Sequence, residues 1–303
     1  MLTRLKLALL ALVLASAPFA ARAAVSVFAC EPEWGALATE LGGTRVSVFN
    51  ATTARQDVHK VQARPSLIAR ARSADLLVCT GADLELGWLP MVLSQAGNSN
   101  IALGKPGYLE AANYVQLIDV PPVVDRSLGD LHPRGNPHIH WNPRNILLVA
   151  AELRNRLAGI DPRGAGDYQK GYDRFAQRWT EAIRKWEQMG APLRGAGVIE
   201  HHRALTYLFN WLGMPVRGSL EPKPGVEPTS AHLSELLENQ KATPARLIVR
   251  STVNNAEAST WLAKRTGLPA IELPATVGGV PGTDDLFGLY DRALRLLLDA
   301  VHA

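Results

Sequence analysis

The residues of this 303-residue chain best suited to chemistry are its histidines: His59, His132, His138, His140, His201, His202, His232 and His302. Neutral imidazole is the commonest nitrogen ligand for metals, and three imidazoles on separate rigid elements can form three corners of a tetrahedral zinc site. His59 lies in Gln56-Asp-Val-His-Lys60, His138 and His140 lie in Asn136-Pro-His-Ile-His-Trp-Asn-Pro143, and His201-His202 follow the run Val198-Ile-Glu200. A lone loop histidine is ordinarily a solvated side chain, but three groups at three such positions point to a metal site. Three histidines with an open fourth position also serve zinc hydrolases, where bound water falls to a pKa near 7. A secreted zinc-dependent hydrolase is therefore the reading from another class. Its candidate base is Glu200, whose alternative role lies beneath the site, holding an imidazole N–H. The chain has no HExxH helix, GxSxG elbow or phosphate-binding glycine loop, and its Gly278-Gly279 and Gly282 cluster reads as a turn-rich loop.

These groups need elements to hold them. Val25–Ala29 reads as a buried strand, Trp34–Leu41 as a helix, Arg45–Phe49 as a strand, Asn50–Arg64 as a polar loop, Pro65–Ala71 as a helix and Ala74–Cys79 as a buried strand. Such βαβαβ alternation predicts a mostly parallel, doubly wound sheet whose ligand loops leave the carboxyl ends of the strands. Asn142 suits an N-cap and Pro143 the first turn of a helix covering Ile146–Leu157. A longer helix, with Asp167 as its expected cap, carries Tyr168, Tyr172, Phe175, Trp179, Ile183 and Trp186 at spacings of four and three, one stripe suited to a core. The alternation then restarts with strand 197–200, helix 204–212, helix 230–239, strand 246–249, helix 256–266, strand 270–273 and helix 284–301. The expected fold is α/β, with two doubly wound lobes joined by one long rigid helix and the site in the cleft between them. The segments are a signal peptide at 1–23, an N-terminal lobe at 24–163, the linking helix at 164–190 and a C-terminal lobe at 191–303.

Arg4 and Lys6, the apolar run Leu7–Ala17 and the small-x-small Ala21-Arg22-Ala23 form the three parts of a cleaved export signal, too interrupted by Pro18 and Arg22 to anchor in a membrane. Its removal takes away three basic residues and no acid, so the net charge falls from +4 to +1. A nearly neutral chain without basic clusters lacks the footprint of a nucleic-acid binder, and no second apolar run reaches membrane-spanning length. Two cysteines in an exported chain, Cys30 and Cys79, stand at the ends of two strands that could be neighbours. A disulfide and two buried thiols are both open to them.

Taken together, these segments resemble the substrate-binding proteins of zinc and manganese ABC transporters. Asp57-Val-His59 is similar to that family's first ligand loop, Asn136–Pro143 to its Asp-Pro-His-x-Trp-x-Asp-Pro segment, His202-Arg-Ala-Leu-Thr-Tyr207 to its His-x-Ala-x-x-Tyr, and Glu227-Pro-Thr-Ser with Leu233 to the motif that follows. The resemblance implies a periplasmic, high-affinity zinc-binding component of an ABC metal importer. It would deliver Zn²⁺ as cargo to a membrane permease, act as a monomer and do no chemistry on the ion. The ligands implied are His59, His138 and His202, with His140 in an aromatic's place. Manganese members carry a carboxylate at the third position, so His202 favours zinc over manganese or another divalent ion. The family's fourth, acidic ligand is missing, because Leu273 in Glu272-Leu-Pro274 takes its position. Glu272, Asp284, Asp285 or a water remains to complete the site, with water preferred. Of the long His-rich loop of zinc members only Asp130 and His132 remain. The stiff linking helix implies a small lobe movement and local loop ordering rather than wide hinge closure.

Overall fold

A computed structural model describes residues 24–123, 129 and 132–302. The export signal and Asp130 lie outside the described residues.

The first half runs β1 (Val25–Ala29), α1 (Pro32–Gly42), β2 (Val46–Asn50), α2 (Pro65–Arg72), β3 (Leu76–Cys79), α3 (Leu89–Ala96) and β4 (Tyr108–Glu110). Its sheet has the order β2-β1-β3-β4 with every pairing parallel, Val27 lying opposite both Val48 and Leu76. All four residues of β3 are buried, as an uninterrupted apolar strand must be when helices cover both faces of a parallel sheet. After α4 (Pro143–Ile160) and α5 (Ala165–Gly190) the second half repeats the scheme with β5 (Val198–Glu200), α6 (Thr206–Leu212), β6 (Val216–Ser219), α7 (Ser230–Ala242), β7 (Leu247–Ser251), α8 (Glu257–Thr266), β8 (Ala270–Leu273) and α9 (Leu286–His302). Its sheet has the equivalent order β6-β5-β7-β8 and is again fully parallel. In each order the winding direction reverses beside the first strand, which opens a crevice at the carboxyl ends of the strands.

Local signals set the helix boundaries. Pro32, Pro65 and Pro143 open α1, α2 and α4, where a missing N–H costs nothing. The Asn142 side chain caps α4 by accepting from the Arg144 N–H at 3.0 Å. The long helix runs Ala165–Gly190, and Asp167 is not its cap but sits in its first turn and pairs with Arg45 at 2.5 Å. Three short elements, α3, β4 and β6, were not expected from the sequence.

The two sheets are not independent. Inward-facing residues of both, including Val27, Val78, Val198 and Val249, belong to one apolar cluster with Phe175, Trp179 and Trp186 of the long helix and Tyr290 of α9. Each outer face has its own smaller cluster. Gly171 allows the long helix to lie directly on the end of α1, since a Cβ there would meet the Leu41 carbonyl oxygen at 2.1 Å. Polar anchors finish the packing: Trp179 Nε1 donates to the Pro143 carbonyl at 2.7 Å and Trp186 Nε1 to Asp291 at 2.6 Å. Cys30 and Cys79, at the ends of neighbouring strands β1 and β3, are joined as a disulfide with Cα atoms 4.8 Å apart.

Candidate metal centre

Three loops bring the histidines together. The polar loop after β2 carries His59 in a single 3₁₀ turn, Val58–Lys60, capped by Asp57, whose Oδ1 accepts from the His59 backbone N–H at 3.1 Å. His138 stands just before the turn Ile139–Trp141 that leads into α4, and its N–H is held at 3.0 Å by Asn136 Oδ1. His202 follows β5. Asn136 also fixes the first half against the second, because its Nδ2 donates to the Arg203 carbonyl at 2.8 Å while its own carbonyl accepts from Tyr207 Oη at 2.8 Å.

The ligand atoms of His59, His138 and His202 all lie within 4.8 Å of one another, and the three ring centroids are 5.4–5.6 Å apart. Two of the rings are oriented by carboxylates. His59 Nδ1 bonds Asp57 Oδ1 at 2.9 Å and His202 Nδ1 bonds Glu221 Oε2 at 2.7 Å. A carboxylate acceptor puts the ring proton on Nδ1 and leaves the Nε2 lone pair for the centre, the arrangement that orients metal-ligating imidazoles. On the third ring, His138 Nε2 is buried with no hydrogen-bond partner. Burial, reinforced by His202 and His59, holds the pKa of His138 well below the ordinary value, so the ring is neutral. Burial opposes charge on His202 as well, but the Glu221 carboxylate outweighs it and the pKa is raised. Asp57 is held below the usual carboxylate range: burial alone would raise it, and the hydrogen bonds and charge of His59 prevail. The trio opens on a cavity of about 120 Å³. Asp57 and Glu221 together bring two negative charges, which match a divalent cation.

His140 does not join the trio. Its Nδ1 faces Glu33 at 3.2 Å, its Nε2 bonds the Ala275 carbonyl at 3.2 Å, and its ring packs on Trp141. Glu200 does not hold an imidazole N–H and does not line the cavity. It is fully buried, accepts from Thr206 Oγ1 at 3.1 Å, and burial pushes its pKa up to about 7. The partners of the imidazoles are Asp57 and Glu221 instead. Of these, Asp57 was readable from its spacing to His59, whereas Glu221, 19 residues beyond His202, carries no local signal. The acids expected near the fourth position are elsewhere: Glu272 pairs with Arg250, Asp285 accepts from the Gly288 N–H at 2.7 Å at the start of α9, Asp284 is exposed, and none lines the cavity. Leu273 is buried in the shared core. His132, read from the sequence as the vestige of a lost loop, instead lies with Nε2 3.2 Å from His59 Nε2.

Paired parallel sheets, a long connecting helix and convergent imidazoles at the crevice define an extracytoplasmic solute-binding protein whose solute is a metal ion. Over residues 27–300 the sequence matches the family described as "Zinc-uptake complex component A periplasmic", and the chain belongs to that family. It is thus a metal-binding component of an ABC importer, in a non-enzymatic family. It is 22% identical over 232 residues to the manganese ABC transporter substrate-binding lipoprotein PsaA of Streptococcus pneumoniae, covering 76% of this chain and 72% of the relative. To the high-affinity zinc uptake system protein ZnuA of Yersinia pestis it is 25% identical over 202 residues, covering 59% and 60%. The zinc-bound crystal structure of a ZnuA deletion mutant superposes with a TM-score of 0.77 at 19% identity, covering 92% of this chain and 99% of that one. Among the described residues no helix is long and apolar enough to cross a membrane.

Proposed function

We propose that the chain is the periplasmic zinc-binding component of its importer, exported by a cleaved signal of residues 1–23, and that His59, His138 and His202 hold the ion for delivery to the permease. The observation that carries this reading is the donor set: three imidazoles converge, two with Nδ1 fixed by carboxylates and one with a buried Nε2 that has no hydrogen-bond partner. Imidazole suits zinc, whereas manganese prefers carboxylate, carbonyl and water oxygens. Asp57 and Glu221 supply charge from behind the rings, and both remain engaged with ring N–H groups rather than turned to the centre. The manganese reading is favoured by the likeness to PsaA, whose name states manganese. The lobes are proposed to divide at 24–163 and 191–303 around the linking helix 164–190, with one ion per monomer.

The test is the metal content of untagged protein purified from the periplasm, followed by competition titration of wild type and His202→Ala. One zinc per chain, outcompeting manganese and lost in His202→Ala, is the expected result. Manganese retained in preference to zinc would overturn the assignment of metal, and unchanged binding in His202→Ala would overturn the site.

A further inference from the structure

We propose that His132 is the fourth protein ligand of the ion, so that the centre is built from four imidazoles and needs neither an acid nor a water. The inference rests on the three-histidine reading above.

His132 Nε2 stands 3.2 Å from His59 Nε2, with the ring centroids 5.3 Å apart. For two nitrogens bound to one tetrahedral zinc at 2.0–2.1 Å, the nitrogen to nitrogen edge is roughly 3.3 Å. That edge already suits a shared cation, while the nitrogens that converge within 4.8 Å of one another are those of His59, His138 and His202, so ligation by His132 needs its ring to move toward the other two. The His59 proton is committed to Asp57 through Nδ1, so His59 presents a lone pair to His132. That leaves His132 two choices: donate a hydrogen to His59, or present a second lone pair to the same ion.

The surroundings of His132 are those of a placed residue. Its ring is half-buried against His59. It also hydrogen-bonds the backbone of Ala82. Ala82 and its neighbour Asp83 both have left-handed backbone, with φ of 51° and 68°, a conformation that costs non-glycine residues of order 1 kcal/mol each and persists only where the surroundings enforce it. This strained turn follows β3, at the same carboxyl edge of the sheet that carries the His59 loop. A second cavity is lined by His132, His138 and His202 together, so His132 shares a cavity wall with two of the three convergent histidines. Leu273 is buried and Glu272 is paired with Arg250, so neither of these two residues is offered to the ion.

The experiment is X-ray absorption on zinc-loaded wild type, joined to competition titration of wild type, His132→Ala and His202→Ala, with circular dichroism as a check on folding. A shell of four imidazoles, and an affinity lower in folded His132→Ala by at least about 100-fold, are expected, since loss of an outer-shell partner alone costs 10–100-fold. Three imidazoles with one oxygen in wild type, or undiminished affinity in His132→Ala while His202→Ala loses zinc, would overturn the role of His132 and leave the three-histidine site standing. The absorption shell of wild type decides the matter even where a variant fails to fold. Unchanged binding in His202→Ala would overturn the three-histidine site itself and this inference with it.

Discussion

The carboxyl pair beneath the binding crevice makes stability fall as pH rises. Glu31 and Glu85 are only 2% and 3% exposed and hydrogen-bond each other. Glu85 Oε1 accepts from the Thr80 N–H at 2.8 Å and Oε2 from the Gly81 N–H at 3.1 Å, while Glu31 Oε2 accepts from Thr80 Oγ1 at 3.1 Å. Burial dominates, and it pushes Glu85 from the ordinary 4.5 up to about 7 despite those bonds. The folded chain thus keeps a proton that the unfolded chain gives up. The stability this pair contributes is fully present below the unfolded pKa of 4.5 and is lost as pH climbs through the folded value of about 7. Integrated from pH 5 to pH 8, the linkage of Glu85 alone is on the order of 2 to 3 kcal/mol. Glu85→Gln mimics the protonated acid: its amide oxygen keeps the backbone donors and its NH₂ can donate to Glu31. Urea unfolding of metal-free wild type and Glu85→Gln at both pH values reads the pair as a unit, since the histidines titrate alike in both proteins and the Glu31 pKa loses the upward push of the Glu85 charge in the variant. The variant should gain on wild type by about 2 to 3 kcal/mol between pH 5 and pH 8. A stability difference that is the same at both pH values would refute the argument.

Four further outcomes are expected. Removing the disulfide by Cys30→Ser and Cys79→Ser releases a loop of sequence separation 49 and should cost about 4 kcal/mol in denaturant unfolding. Glu221→Gln keeps the shape beside His202 but removes the charge, and zinc affinity should fall about 10–100-fold in competition titration with the fold unchanged. Gly171→Ala drives a Cβ into the Leu41 carbonyl and should lower stability by about 1–3 kcal/mol, read from the unfolding midpoint. Metal loading should leave the radius of gyration in small-angle scattering unchanged while slowing hydrogen exchange in the loops around His59 and Glu221; clear contraction would contradict this.

How legible each feature was follows from how local its cause is. Leu76–Cys79 was readable as a strand because its apolar run is uninterrupted, and Asn142-Pro143 fixed the start of α4. The strand Val216-Arg-Gly-Ser219 carries no such run; it forms because β5 offers it an edge, a tertiary cause. The long helix was legible from its aromatic stripe, but Asp167 misled as its cap because the turn Pro162–Gly164 runs straight into the helix, which begins at Ala165. His59, His138 and His202 could be grouped because each follows or precedes an element at the ligand edge. Glu221 and His132 could not, since only the fold brings a loop after β6 and a residue six positions before His138 to these imidazoles.

The expectation of unchanged dimensions follows from the way the crevice is closed. Two sets of ties cross it beside the imidazoles. On one side Asn136 and Tyr207 join the His138 loop to α6 and the Arg203 carbonyl. On the other, Glu33 of α1 accepts from Thr276 Oγ1, and His140 spans Glu33 and the Ala275 carbonyl. Asn136, Glu33, His140 and Thr276 are all buried, so parting the halves would strand several polar groups at about 1–3 kcal/mol each. Tyr290 Oη adds a bond to the His140 carbonyl from inside the apolar cluster that the two sheets share. By contrast, among the described residues the hydrogen bond that ties the His59 loop across the crevice runs from Thr252 Oγ1 to the Ala54 carbonyl at 3.4 Å, the weakest of these bonds. A cation is therefore admitted and released most cheaply by movement of that loop, with the sheets and the long helix held as one body.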